Sequence, residues 1–405
     1  MKYEPATDWK IIHSVMQCIE SGIRMPSRAD VAKQLTLSRT TVSTIVGQLI
    51  ESGLVMELDS SAQGRGRPGI PLTLDPKNWF ALGAAFQGKT WMFLIVDING
   101  NIVREHSKTI LQTTEDSFIE SLVSGLKQMR ENFPGKLLPQ IGIGSPGLVS
   151  SDTGTIIRAD DMGWKNIPLG NIIQKRIGLP AVIMNRNRTS GLAEAKLGAG
   201  KNVSDLIFIG IGTGISAAIF TDGRLVNGTS YSAGEIGHTL VDPNGPLCGC
   251  GRYGCLQALA SSSALVHLVK ERHRTLKKND DAIPPNSLWE IIDDDAKLTG
   301  EYVSIEANKG NPIARECLND LARYLGIATA NLINTLNPRK VLLGGTLSNS
   351  GPLLTQLVSA EAEKHAMAAP MAAATIEQGR LGNKAAALGA TSLPLAHKVD
   401  LVIHQ

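Results

Sequence analysis

The sequence predicts an α/β protein in two parts, a winged helix-turn-helix followed by a pair of larger α/β lobes. Three observations predict it. Residues 9–57 carry three apolar stripes at helical spacing, followed by a short glycine-rich hairpin. From Trp79 onward, apolar strand-like runs alternate with amphipathic helical stretches over roughly 320 residues. The length of 405 residues suits several domains with their own cores, and a chain 42% hydrophobic and 19% charged is ordinary for a globular protein.

The first helix, about Trp9 to Ser21, places Ile11, Ile12, Val15, Met16 and Ile19 three and four apart, and Gly22 ends it. Ser27 opens a short helix with Asp30 three residues on, a near capping box, and with Ala29, Val31, Ala32 and Leu35 inside. After the turn Leu35-Thr36-Leu37, Ser38 caps a third helix whose buried stripe is Val42, Ile45, Val46, Leu49 and Ile50; Gly53 stops it. Leu54–Met56 and Ile70–Leu74 then read as two strands around a polar tip that contains Gly64-Arg65-Gly66-Arg67-Pro68-Gly69.

That stripe leaves Arg39, Thr40, Thr41, Ser43 and Thr44 on the outer side of the third helix. Short hydroxyl side chains and one arginine suit a helix entering a major groove about 12 Å wide, with Arg39 able to pair bidentately with guanine. Arg65 and Arg67, between glycines and a proline, can reach a phosphate or a narrow minor groove. Bulk charge says nothing here. Residues 1–75 hold eight Lys/Arg and eight Asp/Glu, and the whole chain carries +3. Double-stranded DNA is expected as the partner on the layout alone.

Beyond residue 79, strands are expected at 80–85, 91–96, 141–143, 182–184, 206–211, 216–220 and 341–343, and a helix at 116–130. Asp97–Asn101 and Asp222-Gly223 are hairpin turns, which imply mixed sheets. No run of about 18 apolar residues occurs, so no membrane insertion is expected. The opening MKYEPATDWK lacks the apolar stretch of a secretory signal, and a cytoplasmic location is the default.

Three of five cysteines crowd into residues 248–255. His238, Cys248, Cys250 and Cys255 form a soft set of four donors that suits a closed, structural zinc site, and Gly249, Gly251 and Gly254 allow the tight turns it needs. Ligation of His238 would also fix Glu235, whose carboxylate is suited to adjacent sugar hydroxyls. Cys18 and Cys317 lie on apolar helix faces and read as core.

These motifs resemble the ROK family of sugar kinases and repressors, in particular its winged-helix branch of the NagC/Mlc/XylR type. The resemblance rests on the winged helix, Gly142–Gly147, Gly212–Ile215, Gly234–His238, the motif ending Gly254-Cys255-Leu256, Gly344-Gly345-Thr346 and a helix at 385–391. It implies an actin-like, hexokinase-like (ribonuclease H-like) pair of lobes around a sugar cleft, and assembly as a homodimer or homotetramer. The expected domains are 1–75, the winged helix-turn-helix; 76–190, a first lobe completed by a helix at about 382–405; and 191–381, a second lobe with the metal motif and the oligomerisation surface.

The sequence also departs from the family pattern. Where the family's kinases carry Asp-x-Gly-Gly-Thr, this chain has Ala85-Phe86-Gln87-Gly88-Lys89. Where their catalytic aspartate follows an asparagine, it has Asn185-Arg186, and a guanidinium cannot take a proton from a sugar hydroxyl. No kinase activity is expected. Gln257 replaces a family glutamate and Asp161 an asparagine, leaving Asn185, Arg186, Glu235, His238 and Gln257 as candidate ligand contacts. Arg186, with Arg188 next along, either favours a sugar phosphate or sugar acid or seals the cleft by pairing with Glu235 or Asp161. The reading is a sugar-responsive transcriptional regulator, expected to repress carbohydrate uptake or metabolism genes. Its alternatives are an active ROK kinase with a DNA-binding domain and a regulator controlled by a protein partner.

Overall fold

A computed structural model describes residues 5–21, 25–58, 69–160, 162–278 and 286–403. Helices α1 (Pro5–Ser21), α2 (Arg28–Gln34) and α3 (Arg39–Glu51) precede an antiparallel pair, β1 (Val55–Glu57) and β2 (Leu72–Leu74). Local chemistry explains each boundary. Ser27 and Asp30 form a reciprocal capping box at α2, Ser38 Oγ accepts from Thr41 N at 3.0 Å at α3, and Gly53 turns the chain at φ +73°. Val31, Val42, Val46, Leu49, Leu54 and Leu72 are fully buried and form the small core. Two expectations shift slightly: β2 starts at Leu72, with Ile70 exposed, and Ala29 faces solvent.

The next segment supplies β3 (Trp79–Gln87), β4 (Thr90–Asp97), β5 (Ile102–Thr109), α4 (Glu115–Arg130) and β6 (Lys136–Ser145). A small sheet of β7 (Leu148–Ser150), β8 (Thr155–Ala159) and β9 (Trp164–Ile167) follows, then α5 (Leu169–Ile177), β10 (Ala181–Asn185) and α6 (Arg186–Leu197). The strands β11 (Leu206–Ile211), β12 (Ile215–Thr221) and β13 (Arg224–Leu225) lead to α7 (Leu256–Ala260), α8 (Ser262–Lys278), α9 (Gly300–Lys309) and α10 (Pro312–Leu336). The chain closes with β14 (Lys340–Gly344), α11 (Leu353–His365), α12 (Ala368–Ala373), β15 (Thr375–Gln378), α13 (Ala385–Ala396) and α14 (Lys398–Ile403).

The two large sheets repeat one topology. Their orders are β10-β6-β3-β4-β5 and β13-β12-β11-β14-β15, in each case an antiparallel meander with two parallel strands added beside its first strand. This duplicated arrangement is the actin-like, ribonuclease H-like plan. α6 and α13 cross between the sheets: α6 packs on β11 and β12, and α13 on β3 and β6. They approach so closely that side chains are excluded. A Cβ on Gly142 would lie 1.8 Å from Ala390 O, and one on Gly389 1.7 Å from Thr189 O. Gly142→Ala is therefore expected to destabilise the protein by about 3 kcal/mol, the upper end for overpacking, and a thermal melt checks it.

The helix-turn-helix shares a continuous core with the first sheet and the C-terminal helix, running from Ile12 and Val15 through Ala81 and Leu94 to Val399 and Val402. Polar contacts span the same seam. His13 Nε2 meets Asp400 Oδ1 at 2.9 Å, Lys398 pairs with Glu20, and Trp79 Nε1 donates to Ser52 O at 2.8 Å. Among the described residues no helix is long and apolar enough to cross a membrane.

Candidate DNA-reading face, cysteine cluster and interlobe cleft

The outer face of α3 is set by its inner one. Because Val42, Ile45, Val46 and Leu49 are buried, Arg39, Thr40, Ser43 and Thr44 stand exposed. Thr41 is half-buried and partly used by the cap, its Oγ1 lying 2.7 Å from Ser38 Oγ. The same face continues to Gly47, whose surroundings are open, and to exposed Gln48; counting by three and four from Thr44 would have found both. Arg28 braces the helix, donating to Ser43 O at 3.0 Å and pairing with Glu57 at 2.9 Å. Arg65 and Arg67 lie outside the described residues, as does Asp161.

The four soft donors converge. The ligand atoms of His238, Cys248, Cys250 and Cys255 all lie within 4.8 Å of one another, close enough to hold one metal ion. Cys248 Sγ is 3.7 Å from His238 Nδ1, and Cys250 Sγ is 3.7 Å from Cys255 Sγ. Gly254 is indispensable to this loop: its φ is +69°, and a Cβ there would meet Asp242 O at 1.8 Å. Cys18 and Cys317 are buried in the helical cores.

Beside the cluster a cleft of about 430 Å³ opens between the sheets, at the carboxyl ends of β6 and β10, where open parallel sheets place their ligands. Asn185, Arg186, Glu235, His238 and Gln257 all line it. Four of these side chains have work within the protein. Asn185 caps α6, accepts from Ser216 Oγ at 3.2 Å and donates to Gly147 O at 2.9 Å. Gln257 Oε1 accepts from Ile215 N at 3.2 Å. Arg186, buried at 8% exposure, donates to Thr213 Oγ1 at 3.0 Å, across to the Gly212–Gly214 loop. His238 belongs to the group of four donors that could hold a metal ion.

Glu235 differs. No protein donor among the described residues lies within hydrogen-bond distance of its carboxylate. Burial raises its pKa, opposed by the charge of nearby Arg188, so its oxygens are poorly solvated and available. Burial likewise lowers the pKa of His238, with Asp160 opposing and Arg252 and Arg158 assisting, which favours the neutral imidazole.

Polar cleft residues that escaped the sequence reading are Arg158, Asp160, Asn187, Ser216, Ser232 and Arg252. Arg158 pairs with Asp160 and donates to Gly249 O at 3.1 Å, joining the small sheet to the cysteine loop across the cleft mouth. Arg188, expected next to Arg186 in the cleft, turns away from it; successive helical positions point about 100° apart, so residues two apart face nearly opposite ways.

Comparison with known proteins agrees with this architecture. The chain is 28% identical over 376 residues to the xylose repressor of Caldicellulosiruptor bescii, covering 91% of this chain and 92% of that one. The crystal structure of a ROK family transcriptional regulator homologous to the E. coli Mlc protein superposes with a TM-score of 0.81 at 27% identity, over 98% of this chain and all of the other. A ROK family glucokinase from Streptomyces griseus, solved with glucose and AMPPNP, superposes with a TM-score of 0.67 at 27% identity, over 78% of this chain and 98% of its own. The family model begins at residue 83, after the front end of α1 to β2. With the family model matching residues 83–397, on a fold that holds both repressors and kinases, the chain belongs to the ROK family.

Proposed function

We propose that the protein is a sugar-responsive transcriptional regulator, a repressor of carbohydrate genes, whose kinase-like lobes have become a sensor. Residues 1–75 grip duplex operator DNA through Arg39, Thr40, Thr41, Ser43, Thr44, Arg65 and Arg67. Residues 76–190 with 382–405 form one lobe and 191–381 the other. Repressor relatives of nearly the same length support this reading. A homodimer, or a homotetramer built as a dimer of dimers, would set two α3 helices about one DNA turn, roughly 34–36 Å, apart.

The observation that carries the effector site is Glu235, a half-buried carboxylate facing the cleft without a protein donor. Such a group accepts paired hydroxyls of a sugar. Asn185, Arg186, His238 and Gln257 line the same cleft, and the arginines Arg158, Arg186 and Arg252 admit a sugar phosphate or sugar acid as well as a neutral sugar. Arg186 stands where a kinase needs a base and stays protonated, so the cleft binds without phosphoryl transfer.

His238, Cys248, Cys250 and Cys255 would hold a structural zinc ion. A tetrahedron of Zn–S bonds of about 2.3 Å has edges of roughly 3.8 Å, close to the 3.7 Å between the sulfurs of Cys250 and Cys255. Bound there, the ion would be held by these four side chains and would brace the loop as a structural site, without catalytic chemistry. Ligation through Nδ1 leaves His238 Nε2 as a hydrogen-bonding atom.

Operator selection from random DNA, repeated with xylose, glucose, glucose 6-phosphate and gluconate, tests the proposal. The expected result is a near-palindromic site released by at least one of the four. ATP turnover with a sugar and no DNA binding would overturn it. Glu235→Gln is expected to weaken binding of the releasing sugar by about 10- to 100-fold, the worth of a hydrogen bond to a charged group, with operator affinity unchanged; calorimetry and fluorescence anisotropy read the two.

A further inference from the structure

The first turn of α6 carries two arginines that serve different loops of the second lobe. Arg186 reaches the Gly212–Gly214 loop. Arg188 is 3% exposed, and its guanidinium gathers three acceptors from the segment after β13. Nη1 donates to Tyr231 O at 2.6 Å, and Nη2 donates to Val226 O at 3.0 Å and Asn227 Oδ1 at 2.7 Å. The segment 226–235 has little else to hold its middle. The bonds at its middle are internal, Ala233 N to Asn227 O at 3.1 Å, Tyr231 N to Gly228 O at 3.4 Å and Ser232 Oγ to Ser230 O at 3.0 Å, while β12 holds only its ends, through Val226 N to Ile219 O at 2.8 Å and Ala217 N to Gly234 O at 2.7 Å; residues 227–230 are exposed. Its backbone is also unfavourable, with Tyr231 at φ +56°. Yet this segment delivers Ser232 and Glu235 to the cleft.

We infer that Arg188 is a positioning residue of the effector site: its fork holds the 226–235 loop as one wall of the cleft and so places Ser232 and Glu235 against the ligand. The inference rests on the cleft being the effector site. A guanidinium is the group for the task, because one planar fork can satisfy three acceptors spread over six residues, whereas an ammonium is a single point. A buried cation costs desolvation, and an apolar side chain would fill the same space more cheaply if packing were all that was needed. The charge also lies close to Glu235 and favours its ionised form, the form that accepts sugar hydroxyls.

The test uses the full-length protein and the variants Arg188→Lys and Arg188→Met. Amide exchange read by mass spectrometry, without ligand, is expected to rise about tenfold or more over residues 226–235 in both variants, as local opening becomes cheaper, with α3 and residues 238–255 unchanged. Affinity for whichever of xylose, glucose, glucose 6-phosphate or gluconate the parent binds is expected to fall about tenfold or more, and operator affinity without sugar to hold. Arg188→Met combined with Glu235→Gln is expected to lose less than the two separate losses together, since the first acts through the second. A loop that exchanges as in the parent overturns the inference, and so does exchange that rises over the whole chain, a loosened loop with undiminished sugar affinity, or strictly additive losses. If the parent binds none of the four compounds, the effector reading fails, while the exchange at 226–235 still decides whether Arg188 holds the loop.

Discussion

Cys255→Ser is expected to strip the metal from the protein and to lower its melting temperature by about 10 °C. Losing even a quarter of the roughly 10–16 kcal/mol that structural zinc contributes in small domains gives a shift of that size in a lobe of this length. Besides Arg158 on Gly249 O and Tyr324 on Asp242 Oδ2, the loop from His238 to Cys255 is held mostly by bonds within itself. Leu240, Leu247 and Tyr253 are 61%, 59% and 64% exposed, so they contribute little burial. Its backbone bonds are turns and short pairings within the loop, such as Cys248 N to Arg252 O at 2.8 Å, Gly254 N to Pro246 O at 3.0 Å and Val241 N to Gly254 O at 3.0 Å, and it contains no regular strand or helix beyond a single 3-10 turn at its start. One ligand fewer would open the shell of a bound ion, free His238 and loosen the carbonyl of Gly249 that Arg158 holds. Metal analysis and calorimetry on the same sample read the two effects together. A variant that keeps one zinc per chain, or loses it with an unchanged melt, would show that the cluster is not a brace.

Arg39→Ala is expected to weaken operator binding by about 10- to 100-fold and to relax preference at one base pair, the loss of a bidentate contact worth roughly 1–3 kcal/mol. The buried stripe of α3 permits only one face to meet DNA, and Arg39 stands exposed at its N-terminal end, the part of a recognition helix that reaches base edges. Thr40, Ser43 and Thr44 are shorter, and each is expected to cost less. Replacing Arg65 and Arg67 together tests another role. If they meet phosphate, affinity falls for all sequences alike and the salt dependence drops by about one unit per arginine. Anisotropy at several salt concentrations, with the selected site and a scrambled duplex, separates the cases. Undiminished binding by Arg39→Ala would remove α3 from the groove.

The front end was largely legible because its determinants are local. The box of Ser27 and Asp30, the cap at Ser38, the turn at Gly53 and the stripe of α3 all act within a few residues. The metal-ligand set was legible for a similar reason, since four soft donors within eighteen residues have few other uses. The interlobe cleft was read only through the family resemblance, and imperfectly. Neighbouring positions, Arg186 and Arg188, received one expectation, and the helix sends them to separate loops. Asn185 looked like a ligand contact, yet much of its capacity goes to capping α6 and holding Gly147.

By itself, then, the order of residues determined the helices of the front end, several strands of the two sheets, the exposed face of α3 and the grouping of His238 with three cysteines, because periodicity, capping and close spacing act over a few residues. Only the tertiary structure decided the rest. The repeated sheets bring Asn185, Ser216, Glu235 and Gln257 to one cleft, α6 parts its two arginines, and the His13–Asp400 contact closes a seam across 387 positions. Such meetings depend on strand order and helix crossing, which no local spacing encodes, and on backbones packed so closely that only glycine fits at Gly142 and Gly389.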